Sequence, residues 1–328
     1  MHAPDGFLNA GTAVATGAIS IGTIGVALRQ VQDTIKDKQV PLAGIAAAFI
    51  FAAQMFNFPV AAGTTGHLLG GALAAILLGP HMGAIVVTIV VVVQALMFAD
   101  GGLTALGYNV LNMAIVPAYG GYAVFRLFRR VVPQTSGGVV AATGLAGLVS
   151  VVLSAAAFSI QWLFGATAPV TFAEVFTAMV GVHFLIGIGE GVVSALAVGA
   201  VLAARPDLVH GASDLDPSQI SQQHRVPIRT FLIGGLLAAL FLAAVVSQFA
   251  ADDPDGLESV AIATGIDESG EDHALGGSIF ADYATEGLEN ESASLAIAGI
   301  TGTLIVLAVG WGLFAAVREK KPTASANA

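Results

Sequence analysis

Long apolar stretches dominate this chain and restrict what it can fold into. Of its 328 residues, 56% are hydrophobic and only 10% are charged, whereas soluble globular domains carry about 25% charged residues. A helix needs about 20 mostly apolar residues to cross a bilayer. The sequence therefore predicts an all-α, polytopic membrane protein with about nine transmembrane helices. The apolar stretches lie near residues 10–29, 40–57, 66–80, 82–100, 107–126, 139–164, 174–203, 229–250 and 294–317.

The third stretch is the shortest, and Pro80 ends it. A short helix packed inside the bundle is therefore the alternative to a full crossing at this point.

The positive charges give the orientation of the chain. All twelve Lys and Arg fall into four clusters, within residues 29–38, 126–130, 205–229 and 318–321. If nine spans are counted, all four clusters lie on one side of the membrane. The positive-inside rule makes that side the cytoplasm. We therefore expect the N-terminus outside, the C-terminus inside, and a multi-pass protein of the plasma membrane.

A polar gap divides the chain into two unequal parts. We expect a seven-span domain over residues 1–205, a cytoplasmic linker over 206–228 and a two-span domain over 229–317. The loop 251–293 between the last two spans has twelve carboxylates and no Lys or Arg. We expect it outside, where it either concentrates divalent cations or is only a solvated acidic loop.

Several classes of chemistry are excluded by what the sequence lacks. There is no cysteine, so disulfides, thiolate metal sites and cysteine catalysis are excluded. No Gly-x-x-x-x-Gly-Lys-Ser/Thr phosphate loop and no His-Glu-x-x-His motif occurs. We expect a protein that is not an enzyme, does not itself hydrolyse ATP and has no nucleic-acid partner.

The amino terminus has unusual potential as a metal ligand. Because initiator methionine is removed only before small residues, we expect Met1 to stay in front of His2. The α-amine, the His2 amide and the His2 imidazole then offer three nitrogens, which suit square-planar Ni(II) or Cu(II). His67, after Gly-Thr-Thr-Gly, is the candidate for a fourth ligand. The alternatives are a frayed terminus and a core histidine bonded to a backbone carbonyl.

Polar side chains inside apolar spans are costly and are functional candidates by default. We expect the amide side chains to tie helices and loops together. The histidine and glutamate of the seventh span, seven residues apart on one helix face, are expected to bond to each other, with metal ligation as the alternative. These candidates around the ligands are Gln94, Asp100, Asn109, Asn112, His183 and Glu190.

Four motifs together resemble the CbiM/NikM family, the substrate-binding membrane components of cobalt/nickel energy-coupling-factor transporters. Residues 1–8 read Met-His-Ala-Pro-Asp-Gly-Phe-Leu, and residues 63–71 read Gly-Thr-Thr-Gly-His-Leu-Leu-Gly-Gly. Residues 94–113 run from Gln-Ala-Leu-Met-Phe-Ala-Asp-Gly-Gly to Asn-Val-Leu-Asn-Met, and residues 183–191 read His-Phe-Leu-Ile-Gly-Ile-Gly-Glu-Gly. Residues 229–317 resemble the two-span CbiN/NikN component, through Asp-Pro-Asp-Gly-Leu-Glu at 253–258.

The resemblance implies a transported substrate, a ligand set and partners. It implies seven helices with an extracellular N-terminus inserted toward the core. The implied ligands of Ni(II) or Co(II) are the Met1 amine, the His2 amide and imidazole, and His67. The implied partners are a transmembrane coupling subunit and two cytoplasmic ATPase subunits. Nickel is favoured, because low-spin d8 Ni(II) promotes amide deprotonation better than Co(II). Ala3 departs from the family, which more often has a larger apolar residue there.

Two other classes of protein remain as alternatives. An ion-gradient-driven secondary metal transporter or channel would be expected to have repeated halves, and the only repetition in this sequence is two Pro-Asp-Gly turns. A purely structural assembly subunit would have no affinity for metal.

Overall fold

The fold is a bundle of helices with very little β-structure. The structure is a computed structural model that describes residues 1–61, 63–215 and 225–318. The helices α1 to α11 are Ala10–Thr34, Gln39–Gln54, Gly71–Leu78, Pro80–Met97, Leu106–Val110, Val116–Phe128, Ser136–Gly165, Phe172–Ala204, Ile228–Ala244, Gly256–Thr264 and Glu291–Val317.

Seven helices in the described part of the chain are long and apolar enough to cross a membrane. They are α1, α4, the α5–α6 unit, α7, α8, α9 with the turn that follows it, and α11. Helix α2 is shorter, with 16 residues. The all-α polytopic class is confirmed, whereas the number of nine crossings stays a prediction.

The predicted third span is mostly not helical. The antiparallel strands β1 (Phe58–Ala61) and β2 (Thr64–Gly66) precede a loop, and α3 then has only eight residues. At 1.5 Å per residue it is about 12 Å long, against about 30 Å of bilayer core. Gly70 and Gly79 flank it with φ of 79° and 96°. All of its residues except Leu77 are buried, so α3 packs inside the bundle.

The helix that contains the predicted asparagines is interrupted. A π-helical turn, Leu111–Ile115, joins α5 to α6 and includes Asn112. Asn112 and Gln161 of α7 exchange two hydrogen bonds of 3.0 and 2.7 Å. As expected for this amide, it ties two helices together.

The basic clusters meet at one end of the bundle, as the orientation analysis predicted. Each cluster takes part in an ion pair there, with N–O distances of 2.8 to 3.0 Å. Lys320, Lys321 and residues 216–224 of the linker lie outside the described residues. The pairs are Lys38–Asp207, Arg205–Asp207, Arg318–Asp37 and Arg129–Asp214.

The two C-terminal helices, α9 and α11, pack on the rest of the bundle through α2. A Cβ added to Gly44 of α2 would lie 3.0 Å from the carbonyl oxygen of Leu307 in α11, and one added to Gly310 would lie 3.3 Å from the Cα of Gly44. Close helix contacts in lipid need such small residues. Because α11 packs on α2, the loop between α9 and α11 lies beside the N-terminal residues, where Asp255 pairs with Met1.

Candidate metal-binding site

The first residues of the chain are folded into the bundle. Met1 and Ala3 are 5% and 1% exposed. The Ala3 N–H donates to Oδ1 of Asn109 at 3.0 Å, and Nδ2 of Asn109 donates back to the Ala3 carbonyl at 2.9 Å. The Asp5 carboxylate accepts hydrogen bonds from the backbone N–H groups of Leu103 and Thr104 at 3.1 and 2.7 Å. The terminus is therefore held in place and is not frayed.

The amino group of Met1 lies directly against His67. The Met1 nitrogen and Nε2 of His67 are 2.8 Å apart. Two neighbouring nitrogen ligands of a square-planar ion, with bonds of about 2.0 Å, lie about 2.8 Å from each other. Nδ1 of His67 faces the Leu68 carbonyl at 3.0 Å, so the proton belongs on Nδ1 and Nε2 keeps its lone pair for a metal.

His2 lies beside this pair but faces other residues. Its ring stacks on that of His67, with centroids 5.4 Å apart and planes inclined by 24°. Nε2 of His2 is 3.0 Å from Oε1 of Gln94, and Nδ1 is 3.2 Å from Oδ1 of Asp100. Burial lowers the pKa of His2 to about 4, although Asp100 opposes the shift. The lowered pKa keeps the ring neutral at pH 7, and its two nitrogens face the oxygens of Gln94 and Asp100.

The loop that presents His67 is anchored by a buried carboxylate. Glu190 of α8 is fully buried and accepts hydrogen bonds from the backbone N–H groups of Leu69 at 2.6 Å and Gly70 at 3.0 Å. Nε2 of Gln54 donates to the Leu69 carbonyl at 2.9 Å. Because buried polar groups need partners, these bonds fix the loop.

The prediction that His183 and Glu190 form a hydrogen bond with each other is wrong. Seven residues span about 10.5 Å along a helix, so each side chain bonds to a nearer group. Nδ1 of His183 faces the carbonyl of Met179, one turn back in α8, at 2.7 Å. His183 does line a small cavity with Met1, His67 and other residues.

A carboxylate of the C-terminal domain reaches the same place. Asp255 forms an ion pair with the Met1 ammonium, and its Oδ2 lies 3.6 Å from Nε2 of His67. Its Oδ1 caps α10 by accepting from the N–H groups of Leu257 and Glu258 at 2.7 and 2.9 Å. Although burial opposes it, the Met1 ammonium holds the pKa of Asp255 well below its usual range.

In the sequence, Asp255 is one of the twelve loop carboxylates and part of the Asp-Pro-Asp-Gly-Leu-Glu motif, and it was not among the predicted site residues. The signal that could have singled it out is Pro-Asp-Gly directly before an apolar run, since Asp is a preferred helix N-cap.

The acidic loop also contacts the residues around His2. The Tyr283 hydroxyl donates to Oδ2 of Asp100 at 2.6 Å and accepts from Nε2 of Gln94 at 3.0 Å. Within the described ranges, no three His, Asp or Glu side chains form a group that could hold a metal ion. The candidate ligands at the terminus are therefore not three side chains. They are the backbone nitrogens of Met1 and His2 together with the imidazoles of His2 and His67.

Comparisons with known proteins agree with this architecture. A solved structure described as a truncated transition metal transporter is 33% identical, with a TM-score of 0.55, and covers 62% of this chain and 98% of its own. A protein of Archaeoglobus fulgidus, provisionally named fused nickel transport protein NikMN, is 36% identical over 95% of this chain and 98% of its own length. The fused nickel transport protein NikMN of Rhodobacter capsulatus is 35% identical over 64% of each chain.

The fold and these relatives define a multi-pass membrane protein of metal uptake, and not an enzyme. The family profile of the cobalt uptake substrate-specific transmembrane region, CbiM, matches residues 2–208, and that of the PDGLE domain matches residues 229–319. The chain belongs to the CbiM family and carries a PDGLE domain after it.

Proposed function

We propose that this chain is the substrate-binding subunit of an energy-coupling-factor transporter, which captures Ni(II) or Co(II) from outside the cell. The ligands are the Met1 amine, the amide and imidazole nitrogens of His2, and Nε2 of His67. The observation that carries the proposal is the distance of 2.8 Å between the Met1 nitrogen and Nε2 of His67. The Met1 ammonium donates a hydrogen bond to His67 across this distance, and two neighbouring ligands of one square-planar ion have about the same spacing.

Nickel is the metal that this ligand set suits best. Deprotonation of the His2 amide requires a metal that favours four strong nitrogen ligands in a plane, and Ni(II) does so. The two fused relatives described above both have names that refer to nickel transport. A cobalt transport protein CbiM of Sorangium cellulosum, 33% identical, covers 64% of this chain, so Co(II) is the competitor to test.

The chain is organised in two units in this proposal. Residues 1–205 form the seven-span metal-binding domain, 206–228 the cytoplasmic linker and 229–317 the two-span domain with its acidic extracellular loop 251–293. The profile matches to residues 2–208 and 229–319 support this division. A separate coupling subunit and ATPase subunits supply the energy, since the sequence has no phosphate-binding loop.

The experiment is a titration of the detergent-solubilised full chain, tagged at its C-terminus, with Ni(II) and then Co(II). We expect one metal ion per chain, tighter binding of Ni(II), and the absorption band of a planar Ni(II) complex. Failure to bind either metal would leave the structural assembly subunit as the explanation. Metal uptake by cells that lack the ATPase subunits would favour the ion-gradient-driven transporter instead.

A further inference from the structure

One oxygen of Asp255 faces only the proposed nitrogen ligands. Oδ1 of this carboxylate is occupied by the cap of α10, since it accepts from the N–H groups of Leu257 and Glu258. Oδ2 pairs with the Met1 nitrogen and lies 3.6 Å from Nε2 of His67. Among the described residues, Oδ2 has no other partner within hydrogen-bond distance. The carboxylate therefore joins the helix cap to two candidate metal ligands.

Three donor atoms meet here at the spacing of ligands around one small ion. They are Oδ2 of Asp255, the Met1 nitrogen and Nε2 of His67, which lies 2.8 Å from the nitrogen and 3.6 Å from the oxygen. Two ligands on one ion with bonds of about 2.0 Å lie about 2.8 Å apart in a square plane and about 3.3 Å apart in a tetrahedron. Once the ammonium has lost a proton, one ion can therefore contact all three atoms.

A small cavity lies where these atoms meet. Its volume is about 10 Å³, and its lining includes Met1, His67, His183, Asp255 and Gly256. This volume is at the lower limit for a single water molecule, which needs about 10 to 15 Å³. The cavity therefore suits an ion that has given up most of its water ligands and excludes a fully hydrated one.

His183 gives a second, independent indication of an occupant. It is 2% exposed, and Nδ1 of its ring faces the Met179 carbonyl at 2.7 Å, so the proton belongs on Nδ1 and Nε2 is an acceptor. In the described part of the chain, Nε2 has no hydrogen-bond partner. It faces the segment of Asp255, because a Cβ added to Gly256 would lie 3.1 Å from it. A buried acceptor without a partner is costly, and a water molecule bound to a cation is a strong donor for it.

Backbone hydrogen bonds hold the segment of Asp255 in place without help from its ion pair. Thr65, two residues before His67, donates from its N–H to the Pro254 carbonyl and from its hydroxyl to the Asp253 carbonyl, both at 2.9 Å. Neither bond uses the carboxylate of Asp255. The fold therefore places this carboxylate beside His67, and a substitution of the carboxylate leaves the attachment intact.

We propose that Asp255 is a loading ligand of the transported cation. The incoming Ni(II) or Co(II) first binds to Oδ2 of Asp255, the Met1 amine and Nε2 of His67, and a remaining water ligand donates to Nε2 of His183. This inference rests on the proposed function, because the ion then passes to the four nitrogen ligands. The PDGLE domain thus takes part in metal binding directly.

Loading and closure each release one proton. On loading, the ion replaces one proton of the Met1 ammonium, which leaves to solvent, and it gives up a water ligand for each donor atom. On closure, the His2 amide loses its proton to solvent, and its nitrogen takes the place of the carboxylate on the ion. Because the metal drives these deprotonations, the ion must already be held before the amide joins. The carboxylate of Asp255 holds it during this step.

The first test replaces the carboxylate and keeps the helix cap. Asp255→Asn removes the ligand, and asparagine is as good a cap as aspartate. The matched control is Asp252→Asn, which removes an exposed carboxylate three positions earlier in the same loop. Both variants lose one negative charge, so a general loss of attraction for cations affects them equally. Equal melting temperatures would show that both fold.

The rate of Ni(II) association separates a ligand from a simple counterion. In stopped-flow measurements on the full chain, we expect Asp255→Asn to bind Ni(II) at least about tenfold more slowly than Asp252→Asn. A carboxylate that only pairs with the ammonium would have the opposite effect, because its removal frees the amine and makes association faster. An association rate equal to or above that of the control would overturn the proposal.

The second test uses Zn(II), which binds imidazole nitrogen and carboxylate oxygen in a tetrahedral arrangement and so stops at the loading step. We expect calorimetry to show one Zn(II) per wild-type chain, with affinity about 10- to 100-fold weaker in Asp255→Asn and unchanged in Asp252→Asn. Zn(II) affinity that does not depend on Asp255 would contradict the loading ligand.

A measurement on the wild type makes the test independent of any variant. With ¹³C-labelled aspartate, infrared difference spectra with and without Zn(II) should show a shift of a carboxylate stretching band. Absence of the shift in a chain that binds Zn(II) would overturn the proposal.

The failures of the two proposals are distinguishable. Normal Ni(II) binding without any effect of Asp255 contradicts only the loading ligand. A wild type that binds Zn(II) through Asp255 but no Ni(II) or Co(II) contradicts only the proposed function, and a wild type that binds none of these metals contradicts both.

Discussion

The nitrogen of Met1 lies 2.8 Å from Nε2 of His67, although 66 positions separate the two residues in the chain. Asn109 holds the N-terminal segment in place by its two hydrogen bonds to Ala3. Glu190 fixes the loop after His67. The fold therefore brings together two nitrogen ligands that neither segment could position alone.

Replacement of His67 tests the fourth ligand. We expect His67→Ala to lower Ni(II) affinity more than 100-fold, since loss of a residue that only supports the ligands costs about 10- to 100-fold. The measurement is calorimetry on the detergent-solubilised chain. His81→Ala is the matched control, because His81 bonds to Tyr119 and is not among the proposed ligands. A loss of only a few-fold in His67→Ala would remove His67 from the ligand set.

Glu190→Gln tests the anchor of the His67 loop. A glutamine amide can accept from only one of the N–H groups of Leu69 and Gly70, and its NH₂ group faces the other. We expect Ni(II) affinity to fall by about 10- to 100-fold while the protein still inserts. Glu174→Gln, at the exposed start of the same helix, is the control and should bind like the wild type. Equal affinity of both variants would show that the loop needs no anchor.

The sequence was sufficient to predict the membrane class and the gathering of the positive charges at one end of the bundle, whereas ligation by the terminal nitrogens stays a prediction. These predictions depend on local properties, namely apolar length, charge and the identity of residues 1 and 2. The partners of Glu190 could not be predicted in this way, since Leu69 is 121 positions distant and no periodicity encodes such a contact. Asp255 was missed for the same reason, because only the folded loop brings it to Met1.

Protons should compete with nickel at the proposed ligands. Ligation removes one proton from the Met1 ammonium and one from the His2 amide, so binding weakens as the pH falls. We expect a decrease of up to about 100-fold per pH unit between about pH 8 and pH 5. Competition titrations with a calibrated chelator would measure it. A constant affinity over this range would point to carboxylate ligands instead.

The metal-free protein should also lose stability in acid because of His2. Its pKa is lowered to about 4 by burial, below the value of about 6.5 expected in the unfolded chain. As the pH falls from 6.5 toward 4, the unfolded chain therefore binds a proton that the folded chain does not. This contribution to stability is complete above about pH 6.5 and decreases by up to about 3 kcal/mol by pH 4. Melting curves of His2→Asn should lack this part of the pH dependence.

An N-terminal extension tests the Met1 amine by itself. This amine is the proposed ligand that an ordinary pair of histidines would lack. One additional residue in front of Met1 turns its amine into an amide and moves the free amine out of the chelate. The helices and the charges that orient them are unchanged, so the extended protein should insert with the same topology. We expect Ni(II) affinity to fall by at least as much as in His67→Ala, because an amide replaces a strong amine donor.

The control for this extension is the same tag placed at the C-terminus, on the predicted cytoplasmic side, which should leave affinity and transport unchanged. Mass spectrometry must show that the extended protein keeps its extra residue, since removal of that residue would restore the site. Full Ni(II) affinity in a protein verified in this way would rule out ligation by the amine. His183, which lines a cavity with Met1 and His67, would then be the next histidine to test, because it could complete a site together with His67 without any backbone nitrogen.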